Sequence, residues 1–102
     1  MIKKPWYLYL IECVDGSIYT GIALDINARY TAHLKGTGAR YTRSHPPARL
    51  LGFTSFPDRS SASKAEYTIK QLPPLEKRRF AARLLAENPE TQTAESASDK
   101  VT

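Results

Sequence analysis

One cysteine, Cys13, is all the thiol chemistry in this chain of 102 residues, so no intrachain disulfide and no cysteine-based zinc site can form. Cys13 lies in a stretch that reads as a strand. A small buried hydrophobe is its expected role, with no neighbouring base in sequence to lower its pKa. Long apolar runs are missing too, and nothing approaches the ~20 residues of a transmembrane helix. Lys3 and Lys4 precede an apolar run from Trp6 to Leu10, as in a secretory signal. Glu12 and Asp15 interrupt that pattern and no small-residue cleavage site follows, which points to a cytoplasmic protein. There is no internal repeat.

A chain this long holds one domain with a single core of modest size. Its hydrophobic and charged fractions, 41% and 25%, are those of a globular protein. The net charge of +5 is unevenly placed: residues 1–86 carry +8 and the stretch from Glu87 onward carries −3. A domain that basic, with six tyrosines, suits a polyanionic partner such as nucleic acid. Beyond Glu87 the composition is Thr, Ser, Ala and acids, which predicts a disordered acidic tail over residues 87–102.

Trp6 to Val14 alternates as a strand, with Tyr7, Tyr9, Ile11 and Cys13 on one side and Leu8 and Leu10 on the other. Asp15-Gly16 marks a hairpin into a second strand carrying Ile18, Tyr19, Thr20 and Ile22. A two-residue loop would put Tyr9 and Tyr19 on opposite faces. A three-residue loop with Gly16 left-handed pairs Ile11 with Tyr19 and puts both tyrosines on one face. A helix from Asp25 to Lys35 follows, with Ile26, Tyr30 and Leu34 as its apolar stripe, Arg29 and His33 flanking it, and Gly36 closing it.

Gly36 to Pro47 reads as a basic, aromatic loop containing Arg40, Tyr41, Arg43 and His45. Arg49 to Phe56 is a third strand, with Leu51, Phe53 and Ser55 alternating against Leu50, Gly52 and Thr54. Ser60, Ser61 and Ser63 offer N-caps for a helix through Leu72, with core positions Ala62, Ala65, Ile69 and Leu72. A last helix runs from about Pro74 to Ala86, its bases Lys77, Arg78, Arg79 and Arg83 exposed. The fold class is therefore α+β, a three-stranded antiparallel sheet in the order β-β-α-β-α-α.

Hydrolysis of a phosphodiester needs a base for water, positive charge on the phosphoryl oxygens and help for the leaving oxygen. Tyr9, Tyr19, Arg29, His33 and Glu66 supply the residue types: an arginine, a proton-sharing Tyr/His set and a carboxylate able to hold a divalent metal. Each has a plain alternative. Tyr9 and Tyr19 are also ordinary strand aromatics, and Arg29 can pair with Asp25 on the surface. His33 suits a helix C-terminus, and Glu66 can cap with Ser63 or pair with Lys70. Arg40, Tyr41, Arg43 and Lys70 are either solvated surface or contacts to a nucleic-acid strand.

In order and spacing these residues resemble the GIY-YIG nuclease superfamily, in particular its small stand-alone bacterial members, over about residues 5–80. Tyr7-Leu8-Tyr9 stands where that family has its first motif and Tyr19-Thr20-Gly21 where it has its second. Arg29 and His33 match the family's arginine and histidine on the following helix, and Glu66 its metal-binding glutamate. The first triplet departs from the Gly-Ile-Tyr pattern, and Ile22 stands where some relatives carry lysine.

The resemblance implies a nuclease domain over residues 1–86 that hydrolyses DNA with Mg²⁺ or Mn²⁺ on Glu66. Tyr9 or Tyr19 would be the base, His33 would relay the proton and Arg29 would neutralise phosphoryl charge. Such family members usually carry a separate DNA-binding domain. Without one, weak, salt-sensitive binding, little sequence readout, a preference for single-stranded or branched DNA and a monomeric state are expected. A non-catalytic nucleic-acid-binding module, a protein-interaction domain and a ribonuclease are the alternatives.

Overall fold

The computed structural model describes residues 4–87, and the acidic tail expected beyond Glu87 lies outside them. Strand β1 (Trp6–Cys13) turns into β2 (Ile18–Ala23) through the three-residue loop Val14 to Gly16. Gly16 N–H donates to Cys13 O at 2.9 Å, Cys13 N–H donates to Ser17 O at 2.8 Å, and Gly16 takes φ +87°. Asp15 steadies the turn by accepting from Ser17 N at 3.1 Å and from Ser17 Oγ at 2.6 Å. The resulting register sets Ile11 opposite Tyr19 and Tyr9 opposite Gly21. Both tyrosines therefore share a face, as the odd-length loop requires.

Strand β3 (Pro47–Phe56) pairs with the other side of β1, giving an antiparallel sheet ordered β2-β1-β3. It starts at Pro47 rather than Arg49, and it does not alternate strictly. Pairing runs Tyr9 to Phe53, Leu10 to Gly52, then Ile11 to Leu50, which leaves Leu51 as the extra residue of a β-bulge. Leu51 consequently packs with Leu8 and Leu10, while Leu50 joins Phe53 beside Tyr9 and Ile11.

Four helices cover the sheet among the described residues. Asp25 caps α1 (Ile26–Leu34) by accepting from Ala28 N at 3.1 Å. Gly36, at φ +78°, ends it with Gly36 N to His33 O and Thr37 N to Ala32 O bonds. The inward side of α1 differs from the expected stripe. Leu34 is 56% exposed and His33 only 1%, because the sheet offers the imidazole a hydrogen-bond partner that it cannot offer leucine.

The expected loop 36–47 contains a short helix, α2 (Arg40–Ser44), which buries Thr42. On the opposite face, α3 (Arg59–Lys70) and α4 (Pro74–Glu87) lay Ile69, Ala81 and Leu84 over Leu8, Leu10 and Ile18. Asp58, not one of the serines, caps α3, accepting from Ser61 N at 2.8 Å. A carboxylate one turn before the expected caps wins the free N–H groups. No helix of the described residues is long and apolar enough to cross a membrane.

The bases of α4 are not all free at the surface. Arg78 reaches back to the hairpin, donating to Glu12 Oε2 at 2.6 Å and to Gly16 O at 2.8 Å, while Arg49 donates to Glu12 Oε1 at 2.7 Å. The two guanidiniums hold the Glu12 carboxyl below the usual carboxylate range. Its stabilising effect is complete above that range and is lost as pH falls through the lowered value. We expect Arg78→Ala to lower stability by about 1–3 kcal/mol, read from the urea midpoint. Arg78→Lys should recover only part, since an ammonium cannot span both acceptors. Glu12→Gln should flatten the acid-side loss.

Candidate active site

Tyr9 projects from the central strand and is only 2% exposed. Its phenol lies across the backbone of β2 at Gly21. A Cβ at that position would stand 2.5 Å from Tyr9 Oη, 2.7 Å from Cζ and 3.0 Å from Tyr19 Cε2, so only glycine leaves the ring its place. Tyr9 Oη lies 2.9 Å from His33 Nε2, and His33 Nδ1 lies 2.7 Å from Thr42 Oγ1. Thr42 Oγ1 donates to Ala39 O at 3.0 Å, so it presents a lone pair to His33. Ala39 N–H also points at Nδ1, at 3.4 Å; with the ring proton on Nδ1 along the much shorter Thr42 contact, Nε2 accepts from the Tyr9 hydroxyl. Gly38 backs the imidazole closely enough that a Cβ there would strike the ring.

Burial, and then the nearby Arg29 charge, push His33 down to about 4. The ring is therefore neutral near pH 7. Burial first, and the Tyr19 phenol second, raise Tyr9 above the ordinary tyrosine range, with the Arg29 guanidinium opposing them. Arg29 and Tyr19 thus both bear on the hydroxyl that also serves His33. Tyr19 is the more accessible of the two tyrosines, half-buried on the edge strand, with its ring edge-on to His33 at 5.1 Å between centroids.

An aromatic series leads outward from Tyr19. Tyr41 lies near-parallel to it at 5.9 Å and 22°, and His45 stacks on Tyr41 at 4.0 Å and 7°. Across the free edge of β2, Lys70 places Nζ 6.0 Å above the Tyr19 ring while pairing with Glu66 Oε2 at 3.2 Å. Glu66 itself stands on α3, which packs on the other face of the sheet, and meets Lys70. Arg40 and Arg43 stand exposed on α2 near the rim.

Tyr9, Tyr19, Arg29 and His33 are gathered in one place, whereas Glu66 stands apart with Lys70, whose Nζ is 6.0 Å from the Tyr19 ring. Sequence reasoning gave no role in the site to Thr42 or Gly38, and named Gly21 only as part of a motif. Gly21 carried a readable signal, since a glycine within a strand marks close approach. Thr42 carried none, because its burial depends on a helical turn that the glycines and prolines around it disguise.

No group of three or more His, Cys, Asp or Glu able to hold a metal exists among the described residues. Glu66 is a single hard oxygen donor. That fits Mg²⁺ or Mn²⁺, since Mg²⁺ keeps several waters and commonly takes one or two carboxylates plus substrate phosphate. Lys70 would yield its ion pair to such a cation.

A family model described as the GIY-YIG catalytic domain matches residues 5–78. A UPF0213 protein of Xanthomonas axonopodis pv. citri is 56% identical over 70 residues, 69% of each chain. A UPF0213 protein of Cupriavidus pinatubonensis is 49% identical over 90 residues, 88% of this chain and 98% of the relative. The solution NMR structure of the protein EF2693 from E. faecalis superposes with a TM-score of 0.56 at 36% identity, over 80% of this chain and 88% of that one.

In an NMR titration, the His33 ring should keep its neutral-form shifts well below pH 6 and titrate at about 4. Because the folded value lies below the unfolded one, the stability tied to it is complete above the ordinary histidine range and declines as pH falls toward 4. Gly21→Ala should cost about 1–3 kcal/mol by displacing the Tyr9 ring, measured by thermal unfolding.

Proposed function

Because the chain belongs to the GIY-YIG catalytic-domain family, a family of nucleases, we propose that it hydrolyses DNA phosphodiester bonds using one Mg²⁺ or Mn²⁺ ion held by Glu66. The observation that carries this reading is the buried series Tyr9–His33–Thr42, beside Arg29 and open to substrate at Tyr19. When bound, the ion supplies positive charge to the scissile group on the leaving side. Arg29 neutralises the phosphoryl oxygens.

Tyr19, the accessible phenol, takes the proton of the attacking water as its own passes to Tyr9 and that of Tyr9 passes to His33 Nε2. Water oxygen bonds to phosphorus and the bond to the leaving oxygen breaks. The imidazole is a poor proton acceptor in the empty site. An arriving phosphate adds the negative charge that favours imidazolium.

Single-stranded or branched DNA is the preferred substrate in this reading. The exposed Arg40 and Arg43 can meet backbone, and the Tyr41–His45 stack offers a platform for an unpaired base. A monomer acting in the cytoplasm is the accompanying picture.

A panel of single-stranded, duplex and branched DNA and of RNA, with Mg²⁺, Mn²⁺ or chelator, tests the proposal. Tyr19→Phe and His33→Ala should lower the rate by about 10²–10⁴-fold, the range of general acid–base catalysis. Glu66→Ala should abolish the metal-dependent rate. Turnover in chelator would remove the role given to Glu66. Equal cutting of duplex and single strands would reject the substrate preference, and binding without cleavage would leave a binding module.

A further inference from the structure

A second feature sits at the same free edge of β2, behind Tyr19. A cleft of about 370 Å³ is lined by Ile18, Tyr19, Thr20, Tyr41, Lys70 and Lys77. It brings two ammonium groups from two helices to one place. Lys70 has Glu66 as its partner, whereas Lys77 has no carboxylate within ion-pair distance among the described residues. Proximity of like charges disfavours holding both protonated without an anion. Lys77 is in fact lowered from the ordinary lysine range, by burial first and by Lys70 second.

An independent observation comes from the strand. Thr20 is 2% exposed, and its hydroxyl is buried without a hydrogen-bond partner among the described residues. An unsatisfied hydroxyl in a native structure calls for an explanation, because a buried polar group without a partner has lost its hydration with nothing in return. A tetrahedral oxyanion supplies what the Lys77 ammonium and the Thr20 hydroxyl lack. It accepts from an O–H and neutralises two ammoniums at once.

We propose that this cleft binds a backbone phosphate flanking the scissile one, held by Lys70, Lys77 and the Thr20 hydroxyl. The inference rests on the nuclease reading and extends it. One strand phosphate sits at Arg29 and Glu66 and a neighbour sits at Lys77, so the strand runs around the edge of β2 with Tyr19 between the two. Lys70, paired with Glu66 at 3.2 Å, links the two subsites.

The test uses the full chain and a fluorescent single-stranded oligonucleotide in chelator, so that binding is read without cleavage, over a range of salt. Lys77→Met keeps the side-chain stem and should weaken binding about tenfold, lowering the salt slope by about 0.7 for one lost phosphate contact. Thr20→Val keeps the shape and removes the unsatisfied hydroxyl. It should be at least as stable as wild type while binding several-fold more weakly. Lys64→Met, on the exposed side of α3, serves as the control for a general loss of charge.

Wild type that binds and cuts, with Lys77→Met and Thr20→Val no different from Lys64→Met, overturns the subsite and leaves the nuclease reading intact. Wild type that neither binds nor cuts removes both. Inorganic phosphate at matched ionic strength is the third arm. If it raises the melting temperature through Lys77 and the oligonucleotide cannot compete, the cleft serves free phosphate and the assignment to the strand fails.

Discussion

Tyr9 Oη and His33 Nε2 meet at 2.9 Å where water does not reach, and each would be costly to bury alone. That bond couples the central strand to the first helix. It also explains the surroundings. Gly21 lets the phenol lie on the neighbouring strand, Gly38 lets a chain segment back the imidazole, and Thr42 satisfies the remaining ring nitrogen. Burial lowers His33 and raises Tyr9, so both members of the pair stay uncharged near pH 7. The candidate site is in this sense also part of the core, since Tyr9 packs with Ile11, Cys13 and Ala23.

Much of this was legible in the chain. Alternation placed Tyr9 with Ile11 and Cys13, and Asp15-Gly16 limited the hairpin to two registers, of which only the odd one joins the tyrosines. Arg29 and His33, four apart on a helix, had to share a side. What escaped was whatever depends on a distant partner. The bulge at Leu51 answers to the spacing of Leu8 and Leu10 on β1, and nothing within β3 announces it. Leu34 looked like core by helical periodicity, yet His33 took the buried position because a phenol across the sheet rewards an imidazole there. Asp58 follows Pro57 and outcompetes three serines, a contest that capping preference alone leaves open.

The basic character of the domain also reads differently once folded. Some cations are structural: Arg49 and Arg78 share Glu12, and Arg79 pairs with Glu76. Those left facing a cleft, Lys70 and Lys77, come from two helices on one face, while Arg29, Arg40 and Arg43 come from the other. The edge of β2 is where the two sets meet. An edge strand exposes both faces at its border, which lets a thin three-stranded sheet present groups from either side to one ligand.

The bracing of the hairpin by Arg78 reaches Gly16 from 62 residues further along the chain. During synthesis, β1, β2 and α1 leave the ribosome well before that guanidinium exists, so the register that unites the tyrosines is braced last. Non-local closure of this kind slows folding. It also means that a nascent or prematurely ended chain carries the turn that sets the register without the Arg78 brace on it, and the hairpin is fully braced only when α4 has docked.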